Sequence, residues 1–500
     1  MSWELIIQEW RLLPSMFLHV ITSPGTVATL FLGTLIGLVV GVLPGLTIVM
    51  AMALLLGFVF RLPLEWGLAL LIGIETGAQF SGGFTAIMIN IPGTPAAAAT
   101  VLDGFPLAKQ GRAREAVGAV IGASFLGEIL GELCTLIFLP FVTLLALKLG
   151  DWEIFLVTVA GIIIAGALAG KNPIKGWIAG VAGLLFAMVG MDAIWGYPRF
   201  GYTIDLVKGI NFVPALIGLF GLSEVFMVLK EKVPYQLTGR PGRAIMRWDL
   251  IFRHFPTIVR ATLVGVGIGI IPGIGEAVSP WVAYDWAKRT SRHPEEFGKG
   301  SFEGLIAAET ADNATSGGAL IPTLVLGIPG SGPTAILLAA LFIYGVRPGP
   351  TLLIDRPGFV AFTVALFWAG ALMMRIGAWL LSSLTIRLLY IQRELILPLA
   401  VALGVLGAWG SGFTYFDVMT AFAFGVLGYL MRIRDYPPAP MVLGILIGKI
   451  ADTSLRRALL TYSNNLLSMF LRPAGLILIA FVIFLLVSGR RIRGRAVART

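Results

Sequence analysis

Apolar runs long enough to cross a bilayer, roughly 20 residues each, follow one another along this chain, and polar residues cluster in the short gaps between them. The pattern predicts helices throughout and no strands of note. The first gap-free run, from about Val27 to Phe60, is broken from within. The stretch "GVLPGLTIVMA" (Gly41 to Ala51) puts Pro44 and Gly45 near its centre. Proline removes a backbone donor and glycine loosens the chain, so a plain helix would avoid both here. Ahead of it, Trp3, Ile6, Ile7, Trp10 and Leu13 recur at helical spacing among Glu4, Glu9 and Arg11. That predicts an interfacial helix over 1–25, without the basic start or cleavage site of a signal peptide.

The break occurs twice. "TLIGLVVGVLPGLT" (Thr34 to Thr47) aligns with "TLVGVGIGIIPGIG" (Thr262 to Gly275) at a constant offset of 228. Gly37, Gly41, Pro44 and Gly45 fall on Gly265, Gly269, Pro272 and Gly273. Further on, "ETGAQFSGG" (Glu75 to Gly83) resembles "ETADNATSGG" (Glu309 to Gly318), and "NIPGTP" (Asn90 to Pro95) resembles "GIPGSGP" (Gly327 to Pro333). Signatures that recur in order mark an internal duplication. The expected units are a first transmembrane repeat over 26–229, a linker over 230–253, a second repeat with an extra C-terminal helix over 254–488, and a basic tail over 489–500.

Composition sharpens the class. The chain has 500 residues, 57% of them hydrophobic and only 13% charged, with a mean hydropathy of +0.89. No polar block is long enough for a soluble domain. The net charge is +10, which in a membrane protein marks cytoplasmic loops and not nucleic-acid binding. The linker "KEKVPYQLTGRPGRAIMRWDLIFR" carries six basic and two acidic residues and is expected inside. So are "AKQGRAR", "KNPIK", "RLLYIQR", "RIR" and the tail. "KLGDWE", "DAIWGYPRFGYTID" and "SGFTYFD" are expected outside. Arg456 and Arg457 dissent: the count places them outside, unless they snorkel.

Each broken run is about 33 residues. That is long for one crossing and short for two, which suits a re-entrant hairpin. By flanking charge the first hairpin opens outward and the second inward. The expected fold is an all-α polytopic membrane protein of two inverted repeats, each with a re-entrant hairpin and broken helices, about 11 crossings plus two hairpins. Gly33, Gly37, Gly41 and Gly45, and Gly265, Gly269 and Gly273, fall every four residues. Such spacing lets helix backbones touch.

Interrupted helices at matching places in two halves point to a transport site. Unwound chain survives in lipid only where protein or a wet cavity surrounds it. Its free N–H groups suit an anion, and its carbonyls suit a small cation. The expected binding set is Gly45, Thr47, Ser81, Gly82, Gly83, Asn90, Gly93 and Thr94 from the first half. From the second half it takes Gly273, Gly275, Glu309, Asn313, Ser316, Gly330 and Ser331, with Thr85, Thr315 and Thr334 nearby. Thr47, Asn90, Asn313 and Ser316 are the candidate Na⁺ ligands. Glu75, Glu276, Glu309 and Asp312 are candidates as ionisable groups at membrane depth, with interfacial solvation as the plainer reading for Glu75. Glu128 and Glu132, one turn apart, read as a structural polar pair or as part of a proton path.

Other chemistry is excluded. "GILIGKIAD" has three residues between Gly444 and Gly448 where a phosphate loop needs four, and Ile450 replaces the Ser/Thr. "NAT" at Asn313 lies in a break motif and is no glycosylation site. His19, His254 and His293 are far apart, and Cys134 is a lone thiol expected to be buried. No nucleophile–base or metal constellation appears, so an enzyme is not expected.

Several stretches carry a resemblance. They are "GVLPG", "GGFTAIMINIPGTPAAAATVLDGFPLAKQGRAREAVG", "GIIPGIGEAVSPWVAYDWAKR" and "EEFGKGSFEGLIAAETADNATSGGALIPTLVLGIPGSGPTAILLAALFIYGVRPGP". In these the chain resembles the large membrane subunit of the tripartite tricarboxylate transporter family, strongly over 30–360 and weakly in the C-terminal third. Phe80 stands where related sequences tend to carry Tyr. The resemblance implies a bacterial inner-membrane symporter for a small carboxylate, driven by a Na⁺ or H⁺ gradient and needing no other cofactor. It implies a periplasmic solute-binding protein and a small membrane subunit as partners, within lipid and without nucleic acid. The rival expectation is a stand-alone carrier or channel for another small solute.

Overall fold

The computed structural model describes residues 2–43, 46–168, 172–230, 243–272, 275–388, 397–480 and 482–483. Gly45 and Gly273, most of the linker (231–242) and the basic tail lie outside the described residues. Among those described, the chain is helical almost throughout, and its sheet is a two-stranded ribbon pairing Gly190–Met191 with Pro198–Arg199. Among the described residues six helices are long and apolar enough to cross a membrane, and five shorter apolar helices of 10–17 residues join them. The protein is an all-α, multi-pass membrane protein.

At the centre stand two helices buried along nearly their whole length, Leu64–Ile89 and Phe302–Leu326. Each is lined by the first arm of a broken run. Pro24–Val42 lies along Leu64–Ile89, and Phe255–Gly269 along Phe302–Leu326. Glycine makes both contacts possible. A Cβ on Gly37 would strike the carbonyl oxygen of Ile74, and one on Gly41 that of Ala78. A Cβ on Gly265 would lie 2.5 Å from Ala311 O, and one on Gly269 2.5 Å from Thr315 O. Backbone here touches backbone, and dispersion takes the place of a hydrophobic driving force.

These contacts fix a register that the letters obscure. Ile74 and Ala78 answer to Ala311 and Thr315, an offset equal to the 237 residues between Gln79 and Ser316. Glu75 therefore answers to Asp312, three residues beyond the Glu309 that the shared "ET" suggests. The first arms keep the offset of 228, and most of the extra residues of the second half sit in the loop between Thr290 and Phe302.

The broken runs have unequal arms. Pro24–Val42 and Ile48–Val59 are 19 and 12 residues, while Phe255–Gly269 and Gly275–Thr290 are 15 and 16. The 19-residue arm is itself long enough to cross.

Around the centre, contacts pass between halves. Ala113–Ala146 packs on Phe302–Leu326, where Cβ atoms on Gly127 and Gly131 would lie 2.5 and 2.7 Å from Thr310 and Ala314 backbone. Phe359–Leu388 packs on Leu64–Ile89. Pro173–Ala187 meets Pro438–Thr461 through Gly183 and Gly444, and the turn Ile217–Leu222 meets Tyr415–Ile433 through Gly218 and Gly425. Cys134 is half-buried and free, more exposed than its apolar run predicts.

The N-terminal helix Ser2–Thr22 is pinned by a buried carboxylate. Glu9 Oε1 accepts from Gly358 N at 2.7 Å and Oε2 from Ala361 N at 2.8 Å, at the start of Phe359–Leu388. First-turn N–H groups have no partner in their own helix, and an anion suits them. The opposite face leaves Ile7, Trp10, Leu18 and Ile21 exposed.

The dissenting Arg456 also finds its reason. It pairs with Asp192 of the ribbon and lies 3.5 Å from Asp452. Arg199 bridges the same two carboxylates at 3.3 and 2.7 Å. Asp192 Oδ1 accepts further bonds from Ile194 N and Trp195 N at 2.9 and 2.6 Å. Arg456 thus belongs with the loop "DAIWGYPRFGYTID", and Arg456 together with these amides holds the Asp192 carboxyl well below the usual carboxylate range.

Two predictions follow from packing and charge. Gly41→Ala and Gly269→Ala should each destabilise the purified protein by about 1–3 kcal/mol, because the obstacle is backbone that cannot rotate aside. A thermal midpoint equal to that of the unaltered protein would refute the close contact. Asp192→Asn should lower the midpoint at neutral pH. A depressed native pKa stabilises above the unfolded value, about 3.9, and that stabilisation is lost as pH falls. The gap between variant and unaltered protein should therefore narrow below pH about 4. A gap independent of pH would show that the charge of Asp192 is irrelevant.

Candidate functional site

The two central helices end alike. Leu64–Ile89 stops at Asn90 with φ 59°, and Phe302–Leu326 stops at Gly327 with φ 66°. Both are left-handed, a conformation that glycine adopts freely and asparagine tolerates. A proline two residues on, Pro92 or Pro329, prevents the helix from resuming. The chain then doubles back on itself. Gly93 N donates to Gly82 O at 3.3 Å, and a Cβ on Gly93 would lie 2.9 Å from Gly82 Cα. A Cβ on Gly330 would lie 2.6 Å from Ala319 Cα, the position equivalent to Gly82.

Hydroxyls then restart the chain. Thr94 Oγ1 accepts from Ala97 N at 3.3 Å. Ser331 Oγ accepts from Thr334 N at 3.3 Å while Ser331 N donates to Thr334 Oγ1 at 2.9 Å, a reciprocal cap on Gly332–Ile343. Thr47 Oγ1 caps Ile48–Val59 by accepting from Met50 N at 3.1 Å. These caps satisfy donors that lipid could not.

The pieces beyond the breaks cross over. Gly332–Ile343 packs on Ile48–Val59 of the other half, and the turn Ala96–Ala98 packs on Gly275–Thr290. Tyr344 OH lies 2.7 Å from Val59 O and 3.1 Å from Leu62 O, holding the end of the first broken run. At the junction Gln79 Nε2 donates to Ser316 Oγ at 2.9 Å, and the serine lies 3.2 Å from Gln79 Oε1. These two residues hold equivalent positions on the two central helices, so the junction is where the halves meet.

Carboxyl groups surround this junction. Glu309 Oε1 accepts from Thr100 Oγ1 at 2.5 Å and Oε2 from Ser124 Oγ at 3.2 Å. Gly83 leaves the room: a Cβ there would press on the Glu309 carboxyl. Asn313 Nδ2 donates to Glu309 O at 3.0 Å, whereas its Oδ1 is buried without a donor. Both oxygens of Glu75, Glu128, Glu132 and Asp312 are buried without a hydrogen-bond partner, and Oε1 of Glu276 likewise. Glu75 lies within electrostatic reach of Glu276, and Glu128 within reach of Glu132, Glu75 and Asp312. Among the described residues no basic side chain pairs with any of them, and no group of three or more metal-ligating side chains forms. Buried carboxylates left unpaired are costly by many kcal/mol. The cluster therefore calls for neutralisation by a proton or a small cation.

The remaining sequence-derived candidates divide. Ser81 and Thr85 donate within their own helix, to Gly77 O at 2.7 Å and Gly82 O at 2.9 Å. Thr315 is bonded to Ser279 at 2.5 Å, and a Cβ on Gly275 would lie 2.6 Å from Thr315 Cγ2. Of the four candidate Na⁺ ligands, Asn313 and Ser316 are buried near the junction. Thr47 is half-buried and engaged as a cap, and Asn90 is exposed. The four form no single enclosed shell. Gln79, Thr100 and Ser124 enter the site without having been singled out in the sequence. Gln79 was visible as the amide inside "ETGAQFSGG"; the other two gave no signal. Asp103 is a further omission. Its Oδ1 accepts from Gly298 N, Gly300 N and Ser301 N, each at 2.8 Å, and so ties the segment after the first break to the start of Phe302–Leu326.

Comparison with known proteins places this architecture. Residues 27–443 match the model of the tripartite tricarboxylate transporter TctA family. An uncharacterized 52.8 kDa protein in the TAR-I ttuC' 3'region of Agrobacterium vitis is 32% identical over 460 residues, covering 92% of each chain. An uncharacterized protein in the TAR-II ttuC' 3'region of the same organism is 32% identical over 193 residues, which is 39% of this chain and 80% of that one. No solved structure matches. The match over most of its length establishes that this chain belongs to the tripartite tricarboxylate transporter TctA family.

Proposed function

We propose that this protein is the large membrane subunit of a secondary uptake system for a small carboxylate of the dicarboxylate or tricarboxylate class. A solute-binding protein delivers the substrate from the periplasm, a small membrane subunit completes the complex, and the chain sits in a bacterial inner membrane. We read it as two inverted repeats, 26–229 and 254–488, joined by a cytoplasmic linker. The observation that carries this reading is the crossed arrangement of two broken helices around the Gln79–Ser316 bond. Carrier sites lie at repeat interfaces and are built from interrupted helices.

The capped start of Gly332–Ile343 at Ser331 presents the positive end of a helix, which favours a carboxylate, and the turn at Thr94 holds the matching place in the first half. The unpartnered carboxyls of Glu75, Glu128, Glu132 and Asp312 supply the place for the coupling cation, H⁺ or Na⁺. A neutralising cation lowers the cost of moving these groups through an apolar barrier, so the ion gradient drives the conformational change. Paired hairpins, one opening to each side, give two gates, and an elevator-like or rocking movement of the four broken segments exposes the site alternately.

Uptake of labelled tricarboxylates and dicarboxylates into vesicles, under imposed Na⁺ or proton gradients and with or without the binding protein, tests this reading. Uptake should require both a gradient and the binding protein. Glu128→Gln and Glu132→Gln should cut gradient-driven uptake at least about tenfold, equivalent to ~1.4 kcal/mol, with normal insertion in the membrane. Uptake that ignores both gradient and binding protein would favour a stand-alone carrier or channel.

Topology gives an independent check. In a Cys134→Ser background, single cysteines replacing Gly242 and Arg495 should label only from the cytoplasm. One replacing Phe200, which is 59% exposed, should label only from outside. Labelling of the Gly242 and Phe200 positions from the same side would defeat the inverted arrangement.

A further inference from the structure

The second half carries a feature that the first half lacks. Between Thr290 and Phe302 the chain makes a longer loop than its counterpart, and that loop roofs a cavity of about 1010 Å³. The floor comes from Gln110 and Arg112 and from the start of Phe255–Gly269. The cavity shares no lining residue with the Gln79–Ser316 junction, although Glu303 opens the same helix, Phe302–Leu326, that carries Ser316.

Its chemistry is cationic. Arg253, Arg260, Arg292 and Lys299 come from three separate segments and line one space. Arg260 is held in place by neutral groups alone: it donates to Thr290 Oγ1 at 2.7 Å, Thr257 Oγ1 at 3.2 Å and Pro256 O at 3.2 Å. Arg253 and Arg292 form no ion pair among the described residues. Arg112 is engaged by Glu115 at 3.2 Å and lies over the Phe302 ring.

Three carboxylates share the lining. Glu303 is engaged by Thr257 Oγ1 at 2.7 Å and Ser291 Oγ at 2.6 Å. Glu295 lies 3.4 Å from His293, and Glu296 stands at the rim. Burial holds His254 below the usual imidazole value, so it lines the wall as a neutral donor or acceptor. The preset guanidinium of Arg260 and the uncommitted cations beside it leave positive charge for a ligand.

We propose that this basin binds a polyvalent oxyanion, a group carrying phosphate or several carboxylates, at a site distinct from the buried carboxyl cluster. Guanidinium forks match such oxyanions with paired hydrogen bonds. Three cations arriving from different segments suit a ligand with more than one charge. The space accommodates one of metabolite size. The same chemistry is offered by a soluble phosphate compound and by an anionic lipid headgroup.

The test uses full-length protein purified in neutral detergent and inorganic pyrophosphate as the probe. Calorimetry at low salt should detect one site whose affinity falls as salt is added. Arg253→Gln and Arg292→Gln, both at exposed positions, should each weaken pyrophosphate binding roughly tenfold without shifting the thermal midpoint, since each removes charge-assisted bonds to the anion. Arg260→Gln should do the same, and a shifted midpoint there would leave the first two variants to decide. In nanodiscs of phosphatidylcholine, adding phosphatidylglycerol should weaken pyrophosphate binding if a lipid headgroup is the occupant, and leave it unchanged if a soluble anion is. Either result supports the basin. Absence of pyrophosphate binding, or equal binding by the unaltered protein and both exposed-arginine variants, would overturn it.

Discussion

The contact on which the rest depends is a glycine Cα laid against a carbonyl of the next helix. In lipid, apolar side chains gain little by leaving one neighbour for another, so close backbone approach must supply the cohesion. Gly37 and Gly41 bring Pro24–Val42 onto Leu64–Ile89, and Gly265 and Gly269 do the same in the second half. Because these helices touch, the breaks beside them are encased. Gly93 and Gly330 can then fold back onto Gly82 and Ala319 without exposing unpaired backbone to hydrocarbon. Close packing is therefore what permits interrupted helices at all.

Much of this was legible because it is local. Hydrophobic run length gave the helices, proline and glycine gave the breaks, and the four-residue glycine spacing gave the packing faces. The capping roles of Thr47, Thr94 and Ser331 fit the same logic, since a hydroxyl just before an apolar run is a helix start. The register of the central helices follows the "IPG" pair and not the "ET" pair, for a physical reason. The letters "ET" recur at Glu75 and Glu309, but backbone contact and not side-chain identity sets the alignment, and it pairs Glu75 with Asp312.

What was not legible is long-range. Glu9 finds its partners 349 and 352 residues away. Asp103 binds amides nearly 200 residues on. A carboxylate that accepts backbone N–H groups looks in sequence like any other acid. Arg456 was the converse case: the carboxylate that answers its charge, Asp192, lies 264 residues away. The carboxyls of Glu128 and Glu132 were visible as a pair on one helix face. That they share an interior with Glu75 and Asp312 depended on how Ala113–Ala146 lies across Phe302–Leu326, and no local pattern states that.

Placing the Gln79–Ser316 bond where the halves meet has a mechanical consequence. A link between equivalent residues looks the same from either half, so it does not by itself favour one arrangement of the halves over the other. The preference must then come from contacts that lack a counterpart. Glu309 held by Thr100 and Ser124 is one, and Asp103 gripping the Gly298–Ser301 turn is another; both tie the first half's post-break segment or its long helix to the second half. The reverse ties, from Gly332–Ile343 to Ile48–Val59, run through Tyr344 and apolar side chains instead. One crossing is thus tied by carboxyl groups and the other by packing. The two crossings therefore differ in the chemistry that holds them, hydrogen-bonded carboxyls on one and a tyrosine hydroxyl with apolar packing on the other.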